Sequence, residues 1–366
     1  QTETKPIYRR SFTAVYYIYN VRNNKLEPLS NNGPQQVPLF SPDGNQIAFV
    51  RNNNIYLVKL LFNNSESQVT KDGEYNKVLN GIPDWVYEEE FGFNRAFDFS
   101  ADSKMLAYIR FDESAVKMFS FPWYKGMAPE KMQYETYPGS YDYKYPKSGM
   151  QNSLVSVHTF DIKSKVTRTM DLQLDKEDYI PRIRFTSDPE KLAIMVLNRH
   201  QNRFDLYFAN PRSTLCKVAI RDEAPQYIKE QAYANIEFFD KNIVMMSERD
   251  GYNHLYLYTI GGNLVKQITK GDFEVKDFLG WDQNATVFYY TSNEESPLRT
   301  AVYKIDAKGK KTKLSTRVGT NSAIFSHSMK YYINTYSSIS TPTRITINNN
   351  QGKELKTLMD NVALKE

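Results

Sequence analysis

A single cysteine, Cys216, in a chain of 366 residues excludes an intrachain disulfide and a cysteine-rich zinc site. One thiol suits a reducing cytosol and a bacterial periplasm equally, so cysteine usage leaves the compartment open. Glycine is sparse at 16 residues, which removes collagen-like and low-complexity classes. No apolar run approaches the roughly 18 to 20 residues that a membrane-spanning helix needs. Charge of one sign never accumulates: 47 basic and 42 acidic residues are interspersed to a net +5, and no block resembles an arm for nucleic acid or a membrane surface. The G-x-S-x-G elbow of an α/β-hydrolase is missing, as are G-x-x-x-x-G-K-[ST] and G-x-G-x-x-G. The four histidines, His158, His200, His254 and His327, fall in no metal-ligating spacing and read as packed or surface side chains. The expectation is therefore no catalytic residue in this chain, no metal and no cofactor. The chain also opens at Gln1 on a polar stretch without Met or a signal-like apolar core, as expected of a processed fragment.

What the sequence does hold is aromatic and β-favouring residues, with 27 Tyr and 21 Phe. They recur in a repeated unit: an aromatic residue, a small or acidic turn, an alternating strand, a polar hairpin and a second strand. Phe40-Ser-Pro-Asp-Gly44 precedes QIAFV, Phe99-Ser-Ala-Asp-Ser103 precedes MLAYIRF, and Phe185-Thr-Ser-Asp-Pro189 precedes LAIMVL. Degenerate copies stand at Phe239, Trp281 and Phe325, 42 and 44 residues apart, while the earlier gaps are 59, 86 and 54 residues. The late spacing is that of one four-stranded propeller blade, and a β-sandwich explains its near-constancy less well. Counting the opening strands around FTAVYYIYNV (12–21), the chain holds about seven partial or complete blades. The widest gap contains residues 119–150, rich in Tyr, Pro and Gly, and reads as an arm from a blade edge.

One segment concentrates chemistry: Ile82-Pro-Asp-Trp-Val-Tyr-Glu-Glu-Glu-Phe91. Asp84 after Pro83 is placed to cap a short helical turn. The three carboxylates can simply complement a helix dipole. They can also form an anionic clamp around a substrate ammonium. Successive helical residues diverge by about 100°, so a clamp made of neighbours needs a short or irregular turn.

The string DWVYEEEF (84–91) resembles the double-glutamate motif of the dipeptidyl peptidase IV branch of the prolyl oligopeptidase-like serine peptidases. The likeness includes YRRSFTAVYYIYNV (8–21), YPKSG (145–149), SERDGYNHLYLY (247–258), ITKGDFEV (268–275) and LMDNVALKE (358–366). It implies an all-β fold, an eight-bladed β-propeller of seven or eight recognisable four-stranded blades over residues 1–366. An α/β-hydrolase domain of the same polypeptide would follow and supply the Ser-Asp-His triad. It also implies that Glu89 and Glu90 hold the free amino terminus of a peptide substrate, that Glu88 is structural, and that Arg9, with Arg10 beside it, binds the peptide carbonyl near the second residue. The implied activity is release of dipeptides after Pro or Ala, and the arm would contact a second copy in a homodimer. A tripeptidyl peptidase of the same family and a non-catalytic propeller binding proteins or glycans are the alternatives. Phe93 departs from the family pattern, where a small polar residue stands, and no apolar specificity wall aligns around Tyr227 to Tyr233. With one cysteine, the disulfides of the animal enzymes cannot form, which favours a secreted bacterial protein of the periplasm or cell surface.

Overall fold

The computed structural model describes residues 1–62, 64–124 and 137–365, and the chain divides into two compact units, Gln1–Arg221 and Asp222–Glu366. The first unit opens on two short ladders, Thr2–Pro6 with Phe12–Val15 and Tyr17–Asn20 with Lys25–Pro28. A four-stranded antiparallel sheet follows, running in chain order from Gln36–Phe40 through Gln46–Arg51 and Asn54–Lys59 to Ser65–Gln68. In the next sheet Met105–Asp112 pairs with both Phe97–Phe99 and Val78–Asn80 along one edge and with Leu154–Asp161 along the other. Strands Tyr179–Phe185, Leu192–Leu197, Arg203–Ala209 and Cys216–Glu223 form a further four-stranded sheet. The second unit repeats the pattern three times, with sheets beginning at Glu237–Phe238, Val275–Asp282 and Thr320–Phe325. Among the described residues, the six sheets of four or five strands and the partial opening strands agree with the repeat count read from the sequence.

Burial across each sheet explains the strand sequences. Leu192–Leu197 is buried at every position, because a central strand covered on both faces must be apolar throughout. Ala48, Val50, Ile55 and Leu57 of one sheet pack against Phe97, Phe99, Leu106 and Tyr108 of the next. Outer strands such as Ser65–Gln68 and Glu354–Met359 are largely exposed, and their charged and polar residues keep the open edges from pairing with other chains.

The repeated turns share one construction. Ser41 Oγ donates to Asp43 Oδ1 at 2.6 Å, and Ser100 Oγ to Asp102 Oδ1 at 2.7 Å. In both turns the serine backbone closes the hairpin, Ser41 N to Gln46 O at 2.8 Å and Ser100 N to Met105 O at 3.0 Å. The fourth turn residue is left-handed, Gly44 at φ +71° and Ser103 at φ +59°. Ser326 and Met329, at φ +55°, build a degenerate copy without the aspartate.

Residues 119–150 contain most of a two-stranded ladder, Met118–Trp123 with Gly139–Lys144; the arm's residues 125–136 lie outside the described residues. Phe119, Phe121, Tyr141, Tyr143 and Tyr145 form a connected aromatic cluster on it, half-buried. No helix among the described residues is long and apolar enough to cross a membrane.

Gly81 ties the segment that enters the glutamate motif into the core, donating to Ile109 O at 3.0 Å and accepting from Ala96 N at 2.9 Å. Its φ is +75°, and an added Cβ would lie 2.9 Å from the Ile55 side chain and 3.0 Å from the Phe97 ring. Gly81→Ala should therefore cost about 1 to 3 kcal/mol through backbone strain and overpacking, read as a lower urea midpoint. An unchanged midpoint would refute the strain.

Candidate functional site

Helix α1 spans Trp85–Glu90 and is capped by Asp84, whose side chain accepts from Tyr87 N at 2.9 Å. Asp84 is buried and also accepts from Ser153 Oγ; burial raises its carboxyl above the usual range. Tyr87, fully buried, packs edge-on against Phe111 and Tyr179, and its hydroxyl accepts from Ile180 N at 3.3 Å. One face of α1 is thus locked into the core, and the glutamates follow by helical rotation.

The three consecutive carboxylates reach three different environments. Glu88, 1% exposed, turns inward and accepts from Arg10 N at 2.6 Å and Ser11 N at 2.9 Å. Arg10 Nη1 in turn donates to the Glu88 main-chain carbonyl at 3.0 Å. Glu89 receives Arg9 Nε on both oxygens, at 3.1 and 2.8 Å. Glu90 is exposed and lines a cleft of about 640 Å³ with Trp85, Tyr145, Lys147, Tyr179 and Arg199. Arg9 and Glu89 are therefore in contact although they stand 80 residues apart, whereas Glu90 faces its own space.

The turn carrying Arg9 is held from several sides. Ile7 N donates to Ser11 O at 2.9 Å, Tyr141 Oη of the arm ladder to Ile7 O at 2.9 Å, and Asn94 Nδ2 to Arg10 O at 3.0 Å. The Arg9 side chain is 70% exposed and that of Glu89 18%, so their pairing adds only about 0 to 1 kcal/mol of stability. Its consequence is orientation: Nε is engaged by Glu89, which leaves the two Nη groups at the end of the fork as donors for a further acceptor.

Phe93 lies edge-on to Tyr87 at 6.4 Å, with the Arg182 guanidinium 4.7 Å above its ring. Arg182 Nη2 also donates to Phe91 O at 2.6 Å, so the departure from the family pattern is accommodated by a cation–π contact beside the helix end. Tyr227 and Tyr233 belong to the second unit, the former exposed and the latter buried. His254 is buried between Thr269 Oγ1 and Gly271 O, each at 3.0 Å. His158 sits between Ser156 and Thr169 hydroxyls and stacks on Tyr108.

Sequence reasoning singled out Arg9, Glu89 and Glu90 but missed the partners of Glu88, which are backbone amides, and the cleft cations. Lys147 lies in the YPKSG string; nothing marked Arg199.

These sheets are the blades of a β-propeller, an all-β class in which four-stranded antiparallel sheets repeat along the chain. The profile of the dipeptidyl peptidase IV (DPP IV) N-terminal region matches residues 1–343, and the chain belongs to that family. It is similar to dipeptidyl peptidase 4 of Trichophyton rubrum, 30% identical over 379 residues that cover 98% of this chain and 47% of that protein. The same identity and coverage hold for dipeptidyl peptidase 4 of Trichophyton equinum. The crystal structure of Porphyromonas gingivalis dipeptidyl peptidase 4 matches with a TM-score of 0.94 and 46% identity, over 100% of this chain and 51% of that one. The chain thus spans about half the length of the relatives it matches.

Two predictions concern how the site is held. Glu88→Ala removes the acceptor of two amides and should cost about 2 to 3 kcal/mol, with Glu88→Gln costing less. Hydrogen exchange at Arg10 and Ser11 should quicken in the alanine variant; unchanged protection there would contradict the assigned role.

The second concerns Glu113, 5% exposed. Burial first, then the nearby Asp84, pushes its carboxyl up to about 7, against the opposing pull of Lys144. A carboxyl raised in the folded state binds more protons than its unfolded counterpart, so stability falls as pH rises from about 4.5 to about 7. His158, lowered to about 4 chiefly by burial, has the opposite slope between about 4 and 6.5, because its neutral ring must charge on unfolding. Glu113→Gln should leave the His158 slope visible and raise stability at pH 8 by about 2 to 3 kcal/mol. A variant whose stability differs from the native chain by the same amount at pH 5 and pH 8 would rule this out.

Proposed function

We propose that this chain is the peptide-positioning propeller of a secreted serine exopeptidase that releases amino-terminal dipeptides after Pro or Ala. In this reading residues 1–366 work as one propeller domain, and an α/β-hydrolase domain of the same, longer polypeptide supplies the nucleophile. The observation that carries it is the Arg9–Glu89 pair beside the exposed Glu90 on α1.

A peptide's α-ammonium entering a cavity loses hydration, and fixed anions must replace it. Glu89, already oriented by Arg9, and the exposed Glu90, whose side chain turns from the cleft toward Glu89, supply the two anions at the end of a short, rigid helix. They bind the ammonium and make no demand of their own on the first side chain, so the amino terminus is required whatever that side chain is. The Nη groups of Arg9 then reach the carbonyl near the second residue, and the scissile bond meets the nucleophile at a set distance from the amino terminus. The bacterial periplasm or cell surface as location, and the arm as contact for a second copy in a homodimer, belong to the same reading.

The test is kcat/KM of the parent enzyme on Xaa-Pro chromogenic substrates, with the 366-residue chain alone expected to be inactive. Glu89→Ala and Glu90→Ala should each lose the equivalent of about 2 to 5 kcal/mol, part of it in kcat because the ammonium sets register. Arg9→Ala should lose less than either. Folded glutamate variants with near-normal turnover would return the motif to a purely structural role.

A further inference from the structure

The cleft beside α1 carries more positive than negative charge. Glu90 is its one lining carboxylate, whereas Lys147 and Arg199 both line it. Arg199 is held rigidly: Nη1 donates to Tyr179 Oη at 2.7 Å and Nη2 to Met150 O at 3.1 Å. Tyr179 is 7% exposed, and its hydroxyl also accepts from Asn152 Nδ2 at 2.9 Å. The guanidinium is thus fixed by neutral oxygens, and neither Arg199 nor Lys147 has an ion-pair partner among the described residues. Lys147 rests 4.6 Å over the Phe119 ring, with its flexible stem able to swing toward a ligand.

A guanidinium has five N–H donors in a planar fork, and two neutral acceptors with a cation–π contact to the Tyr179 ring at 5.8 Å leave it donors to spare and no counter-anion. Glu90 is the one carboxylate that lines the cleft, yet on the proposed function it is committed to the substrate ammonium. What the cleft then lacks is an anion of its own. The first residue's side chain starts at the carbon that bears the ammonium, so with the ammonium on Glu90 that side chain starts beside the cleft wall.

We propose that this cleft receives the side chain of the peptide's first residue and favours Asp or Glu there, with Arg199 as the specificity-determining cation and Lys147 as its mobile auxiliary. The inference rests on the reading that Glu89 and Glu90 bind the amino terminus. A carboxylate entering the cleft exchanges water for charge-assisted hydrogen bonds from a donor already fixed in place, so little ordering opposes its capture. An amide side chain of the same shape recovers much less.

The experiment is an NMR or calorimetric titration of the 366-residue chain with Glu-Pro amide, Gln-Pro amide and N-acetyl-Glu-Pro amide, whose blocked carboxy termini remove a competing anion. Glu-Pro amide should bind at least about 5-fold more tightly than Gln-Pro amide, and acetylation should abolish binding. In Arg199→Met and Lys147→Met the Glu-to-Gln ratio should fall toward one, with Arg199→Lys retaining part of it. The exposed Lys147 variant keeps the test open if loss of Arg199 disturbs Tyr179. Equal affinity for the Glu and Gln amides, both lost on acetylation, would overturn the cleft proposal and leave the amino-terminus reading standing. Failure of every free amide to bind would overturn both.

Discussion

Glu88 is a carboxylate taken almost wholly out of water, and the amides of Arg10 and Ser11 are what it receives in exchange. A buried anion without such donors would be far too costly to keep. The same two bonds fasten the opening turn of the chain to α1, and Arg9 reaches Glu89 because that turn is fastened. The contact between Arg9 and Glu89 is itself weak, since Arg9 is largely in solvent. Its geometry is therefore set by a neighbour that neither residue touches through its side chain.

The run of three glutamates is possible because a helix rotates them apart. At about 100° per residue, Glu88 faces the core, Glu89 the opening turn and Glu90 the cleft. Glu89 and Glu90 close the helix, where the macrodipole disfavours negative charge. The dipole therefore does not account for them; Asp84 serves the positive end. Arg9 offsets the unfavourable position at Glu89, and Arg10 satisfies the Glu88 carbonyl left open at the helix terminus. Two adjacent arginines thus answer two adjacent glutamates, Arg9 through its side chain and Arg10 through both its side chain and its backbone amide.

This division marks what was legible beforehand. The Asp84 cap and the serine–aspartate turns could be read because each is a local pattern whose side chains bond within a few residues. Gly44 is the residue type that a left-handed position favours, while Ser103 and Met329 occupy the same conformation with no local sign of it. The blade count followed from the aromatic spacing, since each sheet needs one apolar anchor against its neighbour. Glu88's partners were not legible, because a backbone amide has the same identity at every position. Arg199 was equally silent, lying 52 residues beyond Lys147 on a hairpin between strands of a different sheet.

The surroundings of α1 also bear on how it could respond to a ligand. Asp84 and Glu113 are both raised by burial, and Asp84 raises Glu113 further, whereas Tyr87 on the inner face of the helix is enclosed by rings. Moving α1 would break the Asp84 cap, disturb that ring cluster and strip Glu88 of its amides together. A helix so restrained presents Glu89 and Glu90 from a fixed base, and only their side-chain torsions can adapt. Recognition that depends on distance from a chain terminus requires such a base, because any drift of the anchor would carry the whole peptide along by the same amount.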